Sequence, residues 1–397
     1  MIQQIAPFIL ICMSLTPLAM AQRREIPVIK WKLAAELPPS NGQSKSLGFA
    51  GAINGVNNNV FIVAGGANFP DGLPWEGGKK KYSNEMYVLE RKGNKYIWNK
   101  KTKSTLPEPI AYCGNTSTAK GIVYVGGENE NGISNKCFLL NWNADRNCMN
   151  VKSLPDLPVA LTNVSVTHIG ETVYATGGDE AKNSSNSFFR LDLNDSNAQW
   201  QTLPSLPIAL ANATAIAQSS GTGGKEIFVI GGRSKNVSGI SDLHNTVFAF
   251  NPVRQIWRKC ADISDGKTTT NLSAACGVAM GKNEILITGF DNGKVFHQIE
   301  TLIAEIAIAK TPVEKQELTK EKNDLSIHHK GFDKSILLYN TISNTWMKIS
   351  ELPFPAHVTT TAVMWGNDMV ISNGEIKPGI RTPNVMIGEV VGNKNKE

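Results

Sequence analysis

The sequence predicts an all-β fold, a six-bladed β-propeller, from a repeated glycine pair, a recurring tryptophan and complementary chain ends. A β-branched or aromatic run ending in two glycines occurs as FIVAGG, IVYVGG, TVYATGG and IFVIGG, with second glycines at Gly66, Gly127, Gly178 and Gly232. Roughly fifty to sixty residues separate these glycines, which suits a four-stranded unit. Two weaker copies follow, at Gly289 and Gly374. Because one small sheet cannot bury both faces alone, six copies predict six blades stacked around an axis.

A tryptophan follows each of the first five glycine copies, and a Leu-Pro element comes after most of these tryptophans. They are Trp98, Trp142, Trp200, Trp257 and Trp346. Since they recur with the repeat, we interpret them as packing residues of the blades and not as platforms for stacking a sugar.

The two ends of the chain each hold part of one blade. The last copy, at Gly374, is followed by the strand-like TPNVMIGEVV and no tryptophan, whereas PVIKWKLAAELPP near the N-terminus has Trp31 without a preceding glycine pair. We therefore expect the N-terminal strand to be the outer strand of the last blade. Closing the ring in this way removes an open sheet edge.

The fifth unit is too long, and its excess comprises residues 298 to about 332. Thr311-Pro312-Val313-Glu314 has the pattern of a helix start, with a capping threonine and a proline at the first helical position. The sequence thus predicts a helical insertion in the fifth blade. Two interpretations remain open, a surface decoration and a flap over the central opening.

The first 21 residues have no charged side chain, are mostly apolar and end in Ala19-Met20-Ala21. This pattern predicts a cleaved signal peptide, residues 1–21, with an uncleaved membrane anchor as the alternative. Residues 22–397 would then form a single propeller domain in the periplasm or outside the cell. No later segment reaches the roughly 18 apolar residues of a membrane span, so none is expected after cleavage.

Charge and composition restrict the partners. The chain has 40 Lys+Arg against 34 Asp+Glu, a net charge of +6 without basic blocks, which disfavours nucleic acid and permits an anionic small ligand. Five cysteines remain once the signal peptide is removed, and none forms a CxxC pair. We therefore expect mostly buried thiols and at most one disulfide bond. The six histidines show no metal-ligand spacing, and no metal is expected. Monomer and homodimer both remain open.

The glycine and tryptophan pattern resembles Kelch repeats, a scaffold used by binding modules and by enzymes. More specific stretches are GFAGAINGVNNNVFIVAGGANFP, PWEGGKKKYSNEMYVL, PIAYCGNTSTAKGIVYVGGE and ISNGEIKPGIRT. They resemble segments of the sialic acid mutarotases, also called N-acetylneuraminate epimerases. Since ISNGEIKPGIRT comes last here and precedes the others in typical members, the chain resembles the cyclically permuted branch. A closed ring tolerates such a change because its termini lie side by side.

The resemblance implies an isomerase that interconverts the α and β anomers of N-acetylneuraminate, or a closely related acidic sugar, without a cofactor. It assigns Glu375 the role of acid and base, and Arg381 that of holding the substrate carboxylate. From the residues alone, a surface ion pair is the favoured interpretation of Glu375 and Arg381, and a functional site is the alternative. The alternative function is a non-catalytic Kelch propeller that binds a glycan or protein. A copper oxidase is disfavoured because no convincing Tyr/Cys/His ligand set is present.

Further candidates for substrate binding follow glycine pairs or lie in the resembling segments. They are Asn68, Phe69, Lys80, Tyr112, Glu128 and Arg233. The lysine run 79–81 could help to bind a carboxylate, and the alternative is a solvated loop. Tyr112 could donate a hydrogen bond to the sugar ring oxygen, and the alternative is packing within a blade. Glu128 and Arg233 are expected at the rim of the ring, where channel lining is the alternative.

Overall fold

The computed structural model describes residues 26–40, 42–102, 104–221 and 223–391. Six four-stranded antiparallel sheets form the blades of a β-propeller. The innermost strand of each blade contacts that of the next, and the sixth contacts the first, so the ring is closed. The predicted fold class is confirmed. The predicted signal peptide, residues 1–21, lies outside the described residues.

In blades 1 to 5 the strands run in chain order from the centre outwards. Blade 1 contains Ile53–Asn57, Val60–Ala64, Met86–Lys92 and Lys95–Trp98. Blade 2 contains Gly114–Thr118, Gly121–Val125, Cys137–Asn143 and Cys148–Leu154. Blade 3 contains Ser165–Ile169, Thr172–Thr176, Phe188–Asp192 and Gln201–Thr202. Blade 4 contains Thr214–Ser219, Lys225–Ile230, Val247–Asn251 and Ile256–Lys259. Blade 5 contains Cys276–Met280, Glu284–Phe290, Asp333–Asn340 and Thr345–Glu351.

Blade 6 joins the two ends of the chain. From the centre outwards it contains Val363–Trp365, Asp368–Ser372, Asn384–Val391 and Val28–Glu36. The outer strand runs antiparallel to its neighbour, from Val28 opposite Val391 to Glu36 opposite Asn384. The N-terminal segment therefore supplies the outer strand, as its sequence predicted.

The core lies between the blades. Second strands such as Val60–Ala64 and Gly121–Val125 are buried along their whole length, because each sheet has a neighbouring blade on both faces. Burying one such aliphatic or aromatic side chain contributes about 1.5–3 kcal/mol. This explains the continuous apolar runs before the glycine pairs.

Four tryptophans on or beside the outer strands connect neighbouring blades. Each donates its indole N–H to a backbone carbonyl of the preceding blade or the segment after it: Trp98 to Glu36, Trp200 to Pro155, Trp257 to Pro204 and Trp346 to Ala261. Three of the acceptors belong to or adjoin Leu-Pro elements, which explains why the two signals recur together. Trp142 differs, since it lies on the third strand of blade 2 and is 2% exposed.

The predicted insertion consists of helix α1, Lys294–Ile308, and helix α2, Pro312–Ile327, in blade 5. Thr311 caps α2 by accepting the Glu314 N–H at 3.1 Å, so the predicted helix start is confirmed. The helical part begins at 294 instead of 298, directly after Gly293, whose φ of 85° ends the preceding segment. Neither α1 nor α2, nor any other helix of the described chain, has the length and apolarity required to traverse a bilayer.

The five described cysteines are all free thiols, so the structure contains no disulfide bond among them, although the sequence allowed for one. They are Cys113, Cys137, Cys148, Cys260 and Cys276.

A closed ring of six backbone hydrogen bonds surrounds the axis where each chain segment enters its innermost strand. Its members, which we call the hydrogen-bonded ring, are Gly51, Tyr112, Asn163, Asn212, Ala274 and Thr359. Each N–H donates to the carbonyl of the ring member in the preceding blade at 2.8–3.1 Å, and Gly51 closes the circle onto Thr359. All six have a left-handed φ between 54° and 63°. At Gly51 a Cβ atom would lie 2.6 Å from the Tyr112 nitrogen, so only glycine fits there.

Candidate active site

Six equivalent positions lie around the mouth of the ring, one per blade. Each pairs across a backbone bridge with the residue just before a member of the hydrogen-bonded ring. These rim positions are Ala67, Glu128, Asp179, Arg233, Asp291 and Glu375. Sequence reasoning singled out Glu128, Arg233 and Glu375 but missed Asp179 and Asp291. Aligning the repeats on the residue after the second glycine, or after Phe290 in blade 5, would have found both.

Glu375 and Arg381 are brought together by a short hairpin. The strand Glu375–Lys377 pairs with Ile380–Arg381, and Glu375 lies directly opposite Arg381. Glu375 Oε1 is 3.0 Å from Arg381 Nη1 and also accepts the Gly379 N–H at 3.3 Å. A carboxylate and a guanidinium therefore share one side of the mouth.

The chain before Glu375 is anchored to blade 1. Asn373 is fully buried with a φ of 60°, the position that a glycine occupies in the other blades. Its side-chain oxygen accepts the Phe49 N–H at 3.3 Å, and the Gly374 N–H donates to the Phe49 carbonyl at 2.7 Å. Asparagine tolerates this conformation and adds a hydrogen bond that glycine lacks. These contacts fix where Glu375 leaves the strand.

The Arg381 side chain is buried, but not all of its hydrogen-bond donors have an acceptor. Its side chain is 5% exposed, and its guanidinium lies 4.5 Å from the centre of the Phe69 ring. Within the described part of the chain, its Nε and Nη1 make no hydrogen bond, although Nη1 is close enough to Glu375 for an ion pair. Leaving a buried donor without an acceptor costs roughly 1–3 kcal/mol, and more for a charged group. The arrangement favours an anion with two oxygens as a ligand.

Lys80, Tyr82, Tyr112 and Glu128 form a cluster beside Arg381. Lys80 Nζ is 2.7 Å from Glu128 and lies about 5 Å from the centres of the Tyr82 and Tyr112 rings. The Tyr82 hydroxyl donates to Glu128 at 2.8 Å. Burial raises the pKa of Tyr112, and the positive charges of Arg381 and Lys80 partly oppose that rise. Tyr82 was not predicted, although it lies two residues from Lys80.

The other blade 1 candidates have supporting positions. Asn68 is 5% exposed and donates to the Gly48 carbonyl at 3.1 Å, which holds the loop. Of the lysine run, Lys79 and Lys81 are exposed and Lys80 turns toward Glu128. The single 3-10 turn Pro74–Glu76 lies against Gly379, where a Cβ atom would be 3.0 Å from Pro74. The blade 1 loop therefore covers the turn between Glu375 and Arg381.

Arg233 forms a second arginine–carboxylate pair. Its two terminal nitrogens lie 2.6 Å and 3.3 Å from the two oxygens of Asp179, and the side chains are 12% and 7% exposed. Asp179 also accepts from the Ser184 hydroxyl at 2.8 Å and from the Asn163 amide at 3.2 Å. The charged fork of Arg233 is thus occupied by a partner within the protein.

Asp291 occupies the rim position of blade 5. Its Oδ1 accepts the Gly293 N–H at 2.8 Å. Burial raises the pKa of Asp291, and the negative charges of Glu375 and Glu300 raise it further. Asp291 also lines a cavity of about 440 Å³ under α2, together with His328, His329 and Phe332.

The insertion lies at the rim end of the propeller. Glu300 on α1 accepts the Ser241 N–H at 2.7 Å and the Ser241 hydroxyl at 3.0 Å, which ties the helix to a blade 4 hairpin. On the other side, burial lowers the pKa of His329 and the charge of Lys377 lowers it further. The insertion therefore borders the Glu375–Arg381 hairpin.

The central channel is a separate space. A cavity of about 360 Å³ is lined by all six members of the hydrogen-bonded ring and by the innermost strands, and its lining includes neither Glu375 nor Arg381. The candidate site is consequently at the mouth of the channel and not within it.

The described residues contain no group of three or more His, Cys, Asp or Glu side chains arranged to hold a metal ion. Two histidines instead contact hydroxyl groups, His168 that of Thr116 at 2.8 Å and His244 that of Ser234 at 2.7 Å. Burial lowers the pKa of His357 to about 4, so this core histidine is neutral near pH 7.

Comparison with known proteins identifies similar sequences. The sequence model of a family described as N-acetylneuraminate epimerase matches residues 18–149 and 154–396. The N-acetylneuraminate epimerase of Haemophilus influenzae (strain PittEE) is 29% identical over 236 residues, 59% of this chain and 58% of that protein. That of Salmonella typhimurium (strain LT2) is 29% identical over 231 residues, 58% of this chain and 56% of that protein. The matched part is thus less than two thirds of the length of these curated relatives.

Proposed function

Because the chain belongs to the N-acetylneuraminate epimerase family, we propose that it interconverts the α and β anomers of N-acetylneuraminate or a closely related acidic sugar. The observation that carries this proposal is Arg381, which is 5% exposed, has two N–H groups without acceptors in the described chain, and lies beside Glu375. The carboxylate of a sugar acid would supply two oxygens as acceptors for these N–H groups. The reaction itself requires only proton transfer.

Substrate binding would begin with the carboxylate. A guanidinium binds a carboxylate through two parallel N–H···O bonds, and the Phe69 ring supports one face of the Arg381 plane. Because Arg381 Nη1 is 3.0 Å from Glu375, a substrate carboxylate would share the positive charge that now stabilises Glu375.

Glu375 would then act on the anomeric centre. Its carboxylate takes the proton from the anomeric hydroxyl while a separate acid protonates the ring oxygen, the bond from the anomeric carbon to the ring oxygen breaks, and the open form carries a ketone. Reclosure on the other face of the carbonyl returns the proton from Glu375 to the new anomeric oxygen. Ring opening protonates Glu375 and reclosure reverses both proton transfers, so the same carboxyl group acts first as a base and then as an acid.

The compartment follows from the predicted leader. If residues 1–21 direct export, the substrate would be a sugar acid present in the periplasm or outside the cell. Such sugars carry a negative charge near neutral pH, which agrees with the net charge of +6 of the chain.

The test is to follow freshly released α-N-acetylneuraminate by NMR with and without the protein. The wild type is expected to accelerate the appearance of the β anomer over the buffer rate, and Glu351→Gln, an exposed carboxylate paired with Lys348, is a matched control that should act like the wild type. Absence of acceleration would overturn the enzymatic function. Saturable shifts of the sugar resonances without acceleration would instead support the glycan-binding alternative.

A further inference from the structure

Asp291 differs from the other acidic rim residues in its partners. Three of the four rim carboxylates form an ion pair: Glu128 with Lys80, Asp179 with Arg233 and Glu375 with Arg381. Asp291 takes part in none of the ion pairs found within the described residues, and the hydrogen bond to its carboxylate comes from the backbone of Gly293. Among the described residues, Asp291 is thus the acidic rim group that forms no ion pair with a basic side chain.

Asp291 and Glu375 occupy corresponding places in neighbouring blades. Asp291 pairs with Ser273 and Glu375 with Val358, the residues just before ring members Ala274 and Thr359. These two ring members are joined by a hydrogen bond of 3.1 Å. The two carboxyl groups therefore border one sector of the mouth.

The surroundings of Asp291 favour its protonated form. Burial is the largest cause of its raised pKa; the Gly293 N–H opposes the rise, and the negative charges of Glu375 and Glu300 add to it. The 440 Å³ cavity that Asp291 lines also includes Phe332, His328, His329, Lys294 and Lys330, and neither lysine forms an ion pair with Asp291 among the described residues. This space is large enough to receive part of a ligand. Two carboxyl groups in different environments on one sector of the mouth are the arrangement needed for paired acid and base catalysis.

From this geometry we propose that Asp291 is a second catalytic residue, which protonates the sugar ring oxygen while Glu375 deprotonates the anomeric hydroxyl. The inference rests on the proposed function and extends it to a residue for the opposite end of the reacting bond. In the ring-opening step the anomeric O–H proton moves to Glu375, its electron pair forms the C=O bond, and the C–O ring bond breaks. The ring oxygen takes the proton of Asp291.

Reclosure reverses both transfers. The hydroxyl formed from the ring oxygen attacks the other face of the ketone and returns its proton to Asp291, while the former carbonyl oxygen recovers a proton from Glu375. Both carboxyl groups thus regain their starting states, and no other reactant is consumed.

Asp291 suits this role better than Tyr112. Burial raises the pKa of Tyr112 above an already high value, which makes its hydroxyl a weaker acid. Acid catalysis is most effective when the pKa of the acid lies near the working pH, and a carboxyl group with a raised pKa approaches that condition.

The test compares Asp291→Asn with the wild type in the NMR assay. Asparagine keeps the size and an oxygen acceptor for the Gly293 N–H but has no acidic proton. We expect kcat to fall roughly 10²–10⁴-fold, the usual contribution of a positioned acid, with little change in KM. Asp291→Glu, which restores an acid, should recover part of the lost rate. The matched control is Asp242→Asn, an exposed aspartate on a blade 4 hairpin, which should retain the wild-type rate.

The outcomes separate this inference from the function on which it rests. An active wild type with an equally active Asp291→Asn variant overturns the role of Asp291 and leaves the epimerase function intact. An inactive wild type overturns both. If the Asn and Glu variants lose activity equally and their thermal melting temperatures fall together, the role of Asp291 is structural, which also overturns the inference.

Discussion

The rim contains two buried arginine–carboxylate pairs, and they differ in how completely their hydrogen bonds are satisfied. In the Asp179–Arg233 pair both terminal nitrogens of the arginine meet carboxylate oxygens, and Ser184 and Asn163 add two donors to Asp179. In the Glu375–Arg381 pair Nη1 approaches one Glu375 oxygen without making a hydrogen bond, and Nε also makes no hydrogen bond in the described chain. Burial and an ion pair are common to both. The unsatisfied donors distinguish the Glu375–Arg381 pair, where we propose that the substrate carboxylate binds.

The satisfied pair has a structural consequence. Asp179 belongs to blade 3 and Arg233 to blade 4, and Asn163, which donates to Asp179, is a member of the hydrogen-bonded ring. This pair therefore joins two blades to the ring. The Glu375–Arg381 pair lies within one hairpin and joins no blades, so it is free to change partners.

The largest expected effect is on catalysis, at Glu375. Glu375→Gln keeps the shape of the side chain but removes the base, and we expect kcat to fall roughly 10²–10⁴-fold. NMR rates of anomer interconversion would measure the loss, and thermal unfolding would check that the fold is retained. A variant with the wild-type rate would show that Glu375 is not the base, while leaving the proposed function in place.

The next effect is on stability, at Asp179. Asp179→Asn leaves the charge of Arg233 buried without its counter-ion, which typically costs about 3–5 kcal/mol. Urea unfolding followed by tryptophan fluorescence would measure the free energy of unfolding. Glu375→Gln should lose less stability, since the Glu375 side chain is 20% exposed against 7% for Asp179 and meets its arginine through one contact instead of two. Equal losses at both sites would remove the distinction between the pairs.

A third effect is the loss of protein stability at acid pH, which we expect to depend on His357 near the Glu375–Arg381 pair. His357 is followed by Val358, which pairs with Glu375, and its folded pKa of about 4 lies below the ordinary 6.5. The unfolded chain therefore binds the proton first, so stability present above pH 6.5 is lost as pH falls toward 4, on the order of 3 kcal/mol. His357→Gln should lose less stability over that window in urea titrations at several pH values. Parallel pH profiles of variant and wild type would contradict this expectation.

The smallest effect is on substrate affinity, at Arg381. Arg381→Lys retains the charge but loses the planar fork, and we expect KM to rise about 10-fold, which corresponds to about 1.4 kcal/mol. Its comparison is Arg233→Lys, which should affect the free energy of unfolding more than KM. If the Arg233 variant shows the larger rise in KM, the satisfied pair is the substrate site.

Much of the fold follows from local sequence. The glycine pairs adopt left-handed φ values that an L side chain rarely takes, and so they mark the same turn in successive blades. The spare outer strand at the N-terminus was also predictable, because a lone Trp31 and a strand without an outer neighbour complement each other. Trp142 did not fit the pattern, since packing on the third strand satisfies a large apolar side chain equally well.

The site was less accessible to sequence reasoning. Hairpin spacing allowed Glu375 and Arg381 to be paired, but the degree to which each guanidinium is satisfied depends on contacts between distant residues. Arg233 is an example, because its partner Asp179 is 54 residues away in the chain. Asp291 was missed for a different reason, since Phe290 stands where other copies of the repeat have the second glycine, so the position after a glycine pair is not marked there.

The hydrogen-bonded ring has an electrostatic consequence for the mouth. Its six N–H···O=C bonds run from blade to blade in one direction and return to their start, so the in-plane components of the peptide dipoles cancel around the circle. A helix end differs, because there the dipoles add and attract ions of one sign. In its own plane the hydrogen-bonded ring therefore favours neither cations nor anions. The charge at the mouth is then determined mainly by the six rim side chains and their neighbours. A substitution among these side chains can change the preferred ligand while the hydrogen-bonded ring stays the same.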